Sequence, residues 1–129
     1  MKIPVRVYYQ DTDAGGVVFH AQYLAFMERA RSELLNASGI DLARFTEKHR
    51  VLFVVHQIFV KYHLPGRLNE MLTVSADVVK KGRASLVFRQ LVERGGALLV
   101  EADVTLALVD RDRMRPARMP EELEQALLI

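Results

Sequence analysis

The stretch of sequence that decides the fold is Ala21-Gln-Tyr-Leu-Ala-Phe-Met-Glu-Arg-Ala-Arg-Ser-Glu-Leu-Leu-Asn-Ala37, which predicts a long amphipathic helix. Apolar side chains recur along it at the helical spacings i, i+4, i+7 and i+11, at Tyr23, Met27, Ala30 and Leu34. Its first two turns contain few polar residues, so we expect the helix to be buried on most of its sides. Gly39 is available just beyond it for a left-handed cap.

On both sides of this helix the apolar residues recur at a period of two, which is typical of β-strands. The predicted strands cover residues 5–9, 51–62, 71–80, 84–93 and 97–109. The second of these is apolar on both faces, which predicts a covered central strand. In the third, we expect Leu72, Val74, Ala76 and Val78 to point inward and Thr73, Ser75 and Asp77 to point outward. In the last, Leu98, Val100 and the alternate residues up to Leu108 form one apolar face.

Two short helices are predicted as well, one over 41–49 with Asp41 as its N-cap and one over 120–129 beginning at Pro120. The connections at 64–67, 81–83 and 94–96 are short enough for hairpins. The alternation of apolar and polar residues, with one face of the sheet exposed to solvent, favours an antiparallel sheet over a parallel one. The sequence therefore predicts a single α+β domain over residues 1–129, in which a curved antiparallel sheet wraps around one long buried helix.

Composition excludes several classes of site. The 129 residues include no cysteine, which rules out disulfides, thiolate zinc sites and cysteine nucleophiles. The longest uncharged run, residues 14–27, is too short to span a bilayer, and no targeting signal precedes it, so we expect a cytoplasmic protein. The net charge is only +2, and its basic residues fall into two local clusters, which suit a small anionic ligand better than nucleic acid.

The pair Asp11-x-Asp13, between a strand and the long helix, is the strongest local motif. A calcium loop would need a side-chain oxygen ligand where Gly15 stands and a bidentate carboxylate where Gln22 stands. A phosphoryl-transfer loop of the haloacid dehalogenase type would need a parallel sheet. The motif is consistent with acyl-transfer chemistry. A carboxylate beside a helix N-terminus can attack an acyl carbon or activate water, while backbone N–H groups stabilise the oxyanion. The alternative is a purely structural turn in which both aspartates bond their own backbone.

The four histidines show no metal-binding spacing, so no metal site is predicted. His56, on an apolar strand, is expected to be a core residue. His20 differs because it opens the buried helix, seven residues after Asp13.

The sequence Val5-Arg-Val-Tyr-Tyr-Gln-Asp-Thr-Asp-Ala-Gly-Gly-Val-Val-Phe-His-Ala-Gln-Tyr-Leu24, continuing to Glu28-Arg-Ala-Arg31, resembles the acyl-CoA thioesterases associated with the Tol-Pal system. These belong to the hydroxybenzoyl-CoA thioesterase branch of the hotdog fold. The resemblance extends over nearly the whole chain and includes the ending Arg115-Pro-Ala-Arg-Met-Pro-Glu-Glu-Leu123. It implies the hotdog fold and thioester hydrolysis without a metal or organic cofactor.

The resemblance also implies roles for particular residues. Asp13 is the expected catalytic carboxylate, as nucleophile or as general base, and the His20 backbone N–H is the expected donor to the thioester carbonyl. The His20 side chain and Tyr9 match family active-site positions, as orienting or proton-transfer groups. Gly15 and Gly16 are expected to let the backbone approach the acyl carbonyl closely.

The substrate's coenzyme A carries phosphates, for which Lys81 and Arg83 are the predicted ligands, with Arg113 and Arg115 as alternatives. The resemblance implies sites at a subunit interface, hence a homodimer at least and a tetramer as a further option. Acyl carrier protein is a second candidate partner, and no nucleic acid is expected. Two alternative functions are compatible with the same fold. The first is a non-catalytic module that binds acyl-CoA or acyl carrier protein. The second is a hydratase or dehydratase, although the usual His-plus-acid pattern of those enzymes is not evident in this sequence.

Overall fold

The long helix forms where the periodicity predicts it, and the other elements are arranged around it. The computed structural model describes all 129 residues. The elements in chain order are β1 (Lys2–Arg6), a 3₁₀ turn (Tyr9–Asp11), α1 (Gln22–Ala37), α2 (Leu42–His49), β2 (Val51–Tyr62), β3 (Met71–Ser75), β4 (Asp77–Lys81), β5 (Ser85–Arg94), β6 (Ala97–Asp110) and α3 (Glu121–Leu127). All strand pairs are antiparallel, and the sheet forms one core with α1.

The buried face of α1 is formed by Phe26, Met27 and Ala30, which are inaccessible to solvent. Its last turn differs from the prediction, because Leu35 is buried and Leu34 lies only partly buried at the edge of the core. Burial of Leu35 places it in the same core cluster as Ile40 and Phe45, just beyond α1. The helix ends as expected, with Gly39 in the left-handed region at φ +86°.

The two short helices also form as predicted, within a residue or two at their ends. The N-cap of α2 is Asp41, whose Oδ1 accepts a hydrogen bond from the Arg44 backbone N–H at 3.3 Å. Pro120 caps α3 and stands just before its first residue rather than within it. The Asp41 cap satisfies one of the backbone donors that the start of α2 leaves free, whereas Pro120 forms no side-chain cap bond.

The strand predicted over 71–80 is wrong in one respect, because the chain bends at Ala76 and forms two strands, β3 and β4. Both pair with β5, β3 with its carboxyl end and β4 with its amino end. Ser75, predicted to point outward, is buried at this bend, and its hydroxyl accepts a hydrogen bond from the Leu91 N–H at 3.0 Å. The bend lets one edge of the sheet curve around α1.

The strand order is β1-β3-β5-β6-β2, with β4 beside β5. The prediction that residues 51–62 form a central strand is therefore wrong, because β2 pairs only with β6 and lies at the edge. The connection 64–67 is consequently not a hairpin, since β2 and β3 are not neighbours. This edge strand carries three exposed apolar side chains, those of Val55, Phe59 and Tyr62. Apolar residues lie on both faces of β2 although no strand pairs with its outer edge, so its sequence resembles that of a central strand.

Two further differences concern strand ends. The first strand covers Lys2–Arg6 rather than 5–9. It ends early because the Asp11 carboxylate accepts a hydrogen bond from the Tyr8 N–H and so stabilises the 3₁₀ turn over Tyr9–Asp11. In β6, Leu99 and Val100 are both buried while Leu98 is only partly so, which breaks the predicted alternation. A shift in the register of β5 and β6, between Val92 and Glu93, explains this break, since a bulge interrupts the alternation of faces.

Candidate active site

The loop between β1 and α1 folds back on itself as a small hairpin. The Phe19 N–H donates to the Asp11 carbonyl at 2.9 Å, and the Asp13 N–H donates to the Val17 carbonyl at 2.9 Å. An isolated bridge between Thr12 and Val18 lies between these two bonds. The hairpin therefore places Asp13 on one arm and leads the other arm directly into His20 and the start of α1.

The two aspartates of the motif have different surroundings. Asp11 is 3% exposed, and its oxygens accept from the Tyr8 N–H at 2.7 Å and from the Gln22 side-chain amide at 2.9 Å. These bonds attach the loop to the first turn of α1. Asp11 is thus a structural residue, which the sequence motif alone did not distinguish from its neighbour Asp13.

Asp13 is exposed, and only one of its carboxylate oxygens is engaged. Its Oδ1 accepts a hydrogen bond from the Gly15 N–H at 2.8 Å, and Oδ2 has no partner within the chain. A Cβ on Gly15 would approach this Oδ1 to 3.2 Å, and Gly16 has a φ of +78°, so the turn itself favours glycine at both positions. One carboxylate oxygen remains free for chemistry.

His20 is held by its carbonyl oxygen rather than by its N–H. The Tyr62 hydroxyl donates to that carbonyl at 3.0 Å, and the Phe19 and His20 rings lie 4.5 Å apart between centroids. The His20 backbone N–H donates to no group in the chain. The peptide unit that carries this N–H is fixed by its own carbonyl, that of Phe19, which accepts a hydrogen bond from the Gln22 N–H at 2.8 Å. An oxyanion donor needs such an N–H, fixed in place and unoccupied. Tyr62 ends a long apolar strand, and nothing in the sequence distinguished it as a site residue.

A cleft of about 300 Å³ opens beside His20. It is lined by Val18, His20, Tyr23, Tyr62, His63, Leu64 and Pro65. Burial raises the pKa of the Tyr62 phenol, so this hydroxyl keeps its proton at neutral pH and acts as a donor. Burial also raises the pKa of Tyr23, although the hydrogen bond that its oxygen accepts from the Gly66 N–H at 2.9 Å partly opposes that shift.

Of the predicted site residues, only His20 lines this cleft within one chain; Asp13, Gly15 and Gly16 lie in the small hairpin that precedes it. Tyr9 is 83% exposed, and its hydroxyl forms no hydrogen bond. Lys81 pairs with Glu124 at 2.8 Å and lines a separate cleft with Arg83 and Arg118.

The separation of the two clefts follows from the strand register. Tyr62 pairs with Val100 of β6, whereas Lys81 pairs through Leu86 with Leu106 of β6. Six residues along a strand correspond to about 20 Å. The basic hairpin and His20 therefore lie at opposite ends of the sheet.

The structure contains no group of three or more His, Cys, Asp or Glu side chains arranged to hold a metal ion. The expectation of a reaction without a cofactor stays a prediction. No helix is long and apolar enough to cross a bilayer.

Comparison with known proteins identifies the family. Residues 15–101 match the thioesterase superfamily. The acyl-CoA thioester hydrolase YbgC of Escherichia coli O6:H1 is 44% identical over 121 residues, which cover 93% of this chain and 90% of that protein. The acyl-CoA thioesterase YbgC of Haemophilus influenzae is 40% identical over 123 residues, covering 95% and 90% of the two chains.

Solved structures agree with these sequence matches. The crystal structure of a probable thioesterase from Bartonella henselae superposes with a TM-score of 0.88 at 32% identity, covering 93% of this chain and 98% of that one. The predicted hotdog fold, with its antiparallel sheet and long helix, is thereby confirmed. The chain belongs to the thioesterase superfamily.

Proposed function

We propose that this protein hydrolyses acyl-CoA thioesters, with Asp13 as the catalytic carboxylate and the His20 N–H as the oxyanion donor. The observation that carries the proposal is the free N–H of His20, which stands beside a cleft while its carbonyl is fixed by Tyr62. The small hairpin positions the Asp13 carboxylate on the arm opposite the one that leads into His20. The similarity to acyl-CoA thioester hydrolases supports the substrate class.

The reaction can follow either of two routes from this arrangement. As a general base, Asp13 removes a proton from water while the water oxygen bonds to the thioester carbon. As a nucleophile, Asp13 bonds to that carbon itself, and water then hydrolyses the resulting anhydride. In both routes the carbonyl oxygen becomes an oxyanion that accepts from the His20 N–H, and its collapse expels the coenzyme A thiolate. In the first route the thiolate takes up the proton that Asp13 removed from water; in the second it takes up a proton released when water hydrolyses the anhydride.

Coenzyme A phosphate binding by Lys81 and Arg83 requires a second copy of the chain. The exposed apolar side chains Val55, Phe59 and Tyr62 on the unpaired edge of β2 support a homodimer. Two β2 strands paired antiparallel about a two-fold axis would place the Val51 end of one beside the Tyr62 end of the other. The basic hairpin of one copy would then lie at the same end of the joined sheet as the other copy's His20. A tetramer made of two such dimers remains compatible with this arrangement.

The finer predictions belong to the same proposal. We place the chain, on its sequence resemblance, with the Tol-Pal-associated thioesterases of the hydroxybenzoyl-CoA branch, and we expect it in the cytoplasm. Acyl carrier protein is a second proposed substrate carrier, because it presents an acyl group on the same pantetheine thioester. Competition by acyl-loaded carrier protein in an acyl-CoA assay tests that point.

The second candidate function is a non-catalytic module that binds acyl-CoA. It is favoured by one observation, the hydrogen bond that Asp13 accepts from Gly15, which is the bond of a purely structural Asx turn. The two candidates differ in whether the loss of the Asp13 charge changes the rate of thioester cleavage.

The experiment is a thiol-release assay across a series of acyl-CoA chain lengths, with the variant Asp13→Asn. The amide preserves the size and the acceptor oxygen that bonds Gly15 but cannot remove a proton or attack. We expect turnover to fall at least about a hundredfold with the fold intact. Asp77→Asn, an exposed aspartate on β4, is the matched control and should retain wild-type turnover. Wild-type turnover by a folded Asp13→Asn variant would contradict the proposal.

A further inference from the structure

The Tyr23 hydroxyl, in the wall of the cleft beside His20, uses only part of its hydrogen-bonding capacity. Tyr23 is 3% exposed, and its oxygen accepts a hydrogen bond from the Gly66 N–H at 2.9 Å. A phenol is a donor as well as an acceptor, and no group of the chain accepts from the Tyr23 O–H. A buried residue of the cleft therefore contains one unused donor.

The place of Tyr23 in α1 directs this donor toward the proposed oxyanion site. Tyr23 follows His20 by three residues, about one helical turn, so the two residues lie on the same side of the start of the helix. In a helix the Cα–Cβ bonds tilt toward the N-terminus, so the phenol extends toward the end of α1 that His20 opens. Its ring lies 5.8 Å from the ring of Tyr62, whose hydroxyl donates to the His20 carbonyl.

The acceptor side of this hydroxyl is fixed, and its surroundings are apolar. The peptide unit that carries the Gly66 N–H is held by its own carbonyl, that of Pro65, which accepts from Arg94 at 3.1 Å. The methyl groups of Val18 and Leu72 lie around the same point as the hydroxyl, next to Gly66. Methyl groups accept no hydrogen bond, and a buried donor without an acceptor is costly. An acceptor that enters the cleft removes this cost.

The hydroxyl keeps its proton at neutral pH, as a donor must. Burial raises the pKa of Tyr23 above the ordinary value of about 10, and the Gly66 N–H opposes this shift only partly. The charged side chains nearby, Arg94 and Glu70, bond to each other at 3.0 Å and act on the phenol with opposite signs. The other titratable groups that face it belong to the cleft: Tyr62, His20 and His63. Tyr23 should therefore ionise only in strongly alkaline solution.

We propose that the Tyr23 hydroxyl donates a second hydrogen bond to the thioester oxygen, beside the bond from the His20 N–H. An oxyanion accepts more than one bond, and backbone N–H groups and tyrosine hydroxyls both serve as such donors in enzymes. The bond from Gly66 polarises the O–H and strengthens its donation. The proton stays on Tyr23 throughout. The inference rests on the proposed hydrolysis and adds a catalytic residue to it.

The first test is Tyr23→Phe, assayed by steady-state kinetics with one acyl-CoA. We expect kcat to fall about a hundredfold with little change in KM, because an oxyanion donor acts mainly on the charge that develops in the transition state. Tyr8→Phe, which removes an exposed hydroxyl without a hydrogen bond, is the matched control and should retain wild-type kinetics. A rise in KM with unchanged kcat would overturn the assignment.

Tyr23→Phe also deprives the Gly66 N–H of its acceptor, so a second variant keeps the hydroxyl. Incorporation of 3,5-difluorotyrosine at position 23 lowers the pKa of the phenol. We expect kcat to be lost at a lower pH than in the wild type, because an ionised phenol cannot donate. A phenolate still accepts from Gly66, so a purely structural tyrosine would leave the alkaline limb of the pH profile unmoved. The same replacement at Tyr8 should not move it either. An unmoved limb at position 23 would overturn the proposal.

A measurement without turnover uses the ¹⁹F resonance of the same residue. The two probes are 2-oxoheptyl-CoA, which has a carbonyl oxygen and no thioester, and heptyl-CoA, which has the same chain and no carbonyl. We expect a saturable ¹⁹F shift with 2-oxoheptyl-CoA and a much smaller one with heptyl-CoA. Equal shifts with the two probes would contradict a bond to the carbonyl oxygen.

The two readouts separate this inference from the proposed hydrolysis. A carbonyl-dependent ¹⁹F shift in a protein that releases no thiol would support Tyr23 as the donor and contradict hydrolysis. Thiol release without such a shift would contradict the role of Tyr23 and leave hydrolysis by Asp13 and His20 in place.

Discussion

The hydrogen bond from the Tyr62 hydroxyl to the His20 carbonyl joins β2 to the residue that precedes α1. It fixes the His20–Ala21 peptide, which directly follows the Phe19–His20 peptide that carries the free N–H of the proposed oxyanion site. Tyr62 therefore acts through His20 and is a positioning residue. Asp11 is also a positioning residue, since its carboxylate accepts from the Tyr8 N–H within the loop and from the Gln22 side chain in the first turn of α1.

Tyr62→Phe should lower kcat with little change in KM. The change removes one hydrogen bond of about 0.5–1.5 kcal/mol, so we expect roughly a two- to tenfold loss of kcat. Steady-state kinetics with one acyl-CoA measures this split. Equal kcat values for the variant and the wild type would show that the His20 peptide is positioned without Tyr62.

Asp11→Ala should affect folding rather than chemistry alone. The substitution leaves the Tyr8 N–H and the Gln22 amide without their acceptor, at a cost of about 1–3 kcal/mol in the free energy of unfolding. Urea unfolding measures the change, with exposed Asp112→Ala as a control for a carboxylate whose hydrogen bonds lie at the surface. A variant Asp11→Ala as stable as the control would contradict the structural role.

At the scale of the elements, α1 and the curved sheet bury one another, and the last turn of α1 tests the assignment of faces. Leu35→Ala should create a cavity and lower the free energy of unfolding by about 2–5 kcal/mol. Leu34→Ala, one position away and only partly buried, should cost less, and Asp77→Ala on exposed β4 should change stability within about 0.5 kcal/mol. Urea unfolding of the three variants gives the order of their free energies of unfolding. A larger loss of stability for Leu34→Ala than for Leu35→Ala would contradict the assignment of Leu35 to the buried face of α1.

At the scale of the whole molecule, the proposed site needs two copies, because the basic hairpin and His20 lie at opposite ends of one sheet. The double variant Lys81→Ala/Arg83→Ala should raise KM for acyl-CoA and leave kcat nearly unchanged, since phosphates far from the scissile bond are bound alike in the ground and transition states. A pantetheine thioester with the same acyl group lacks the phosphates and should show no difference. Glu124→Gln, which breaks the same ion pair but keeps Lys81, is the matched control.

Mixed dimers test the sharing of sites directly. A subunit with Asp13→Asn combined with a subunit carrying Lys81→Ala/Arg83→Ala should contain one intact site if each site uses both copies. At low substrate concentration, mixing should then give more activity than the sum of the two separate variants. Two different affinity tags on the two variants, purified in succession, establish that mixed dimers form. No gain on mixing would mean that the hairpin does not serve the partner's site.

Much of the fold was predictable from local pattern. The helical period over 21–37 and the alternation after residue 70 identified the long helix, the antiparallel sheet and α2 with its Asp41 cap. These features depend on neighbours within a few residues, which a linear pattern records. The motif around Asp13 and His20 was identifiable for the same reason, and of the resemblance that it carries, membership of the thioesterase superfamily is confirmed.

Only the tertiary structure decided which long-range partners these residues have. The sequence does not state that β2 lies at an edge, because apolar residues on both faces also suit a covered strand. Local pattern could not show that Asp11 is buried and Asp13 exposed, pair Tyr62 with His20, or place Gln90 against Arg31, since each contact joins groups that the pattern treats as independent. Local periodicity determines which face a side chain takes within its element, whereas strand order and hydrogen-bond partners depend on how the elements pack together.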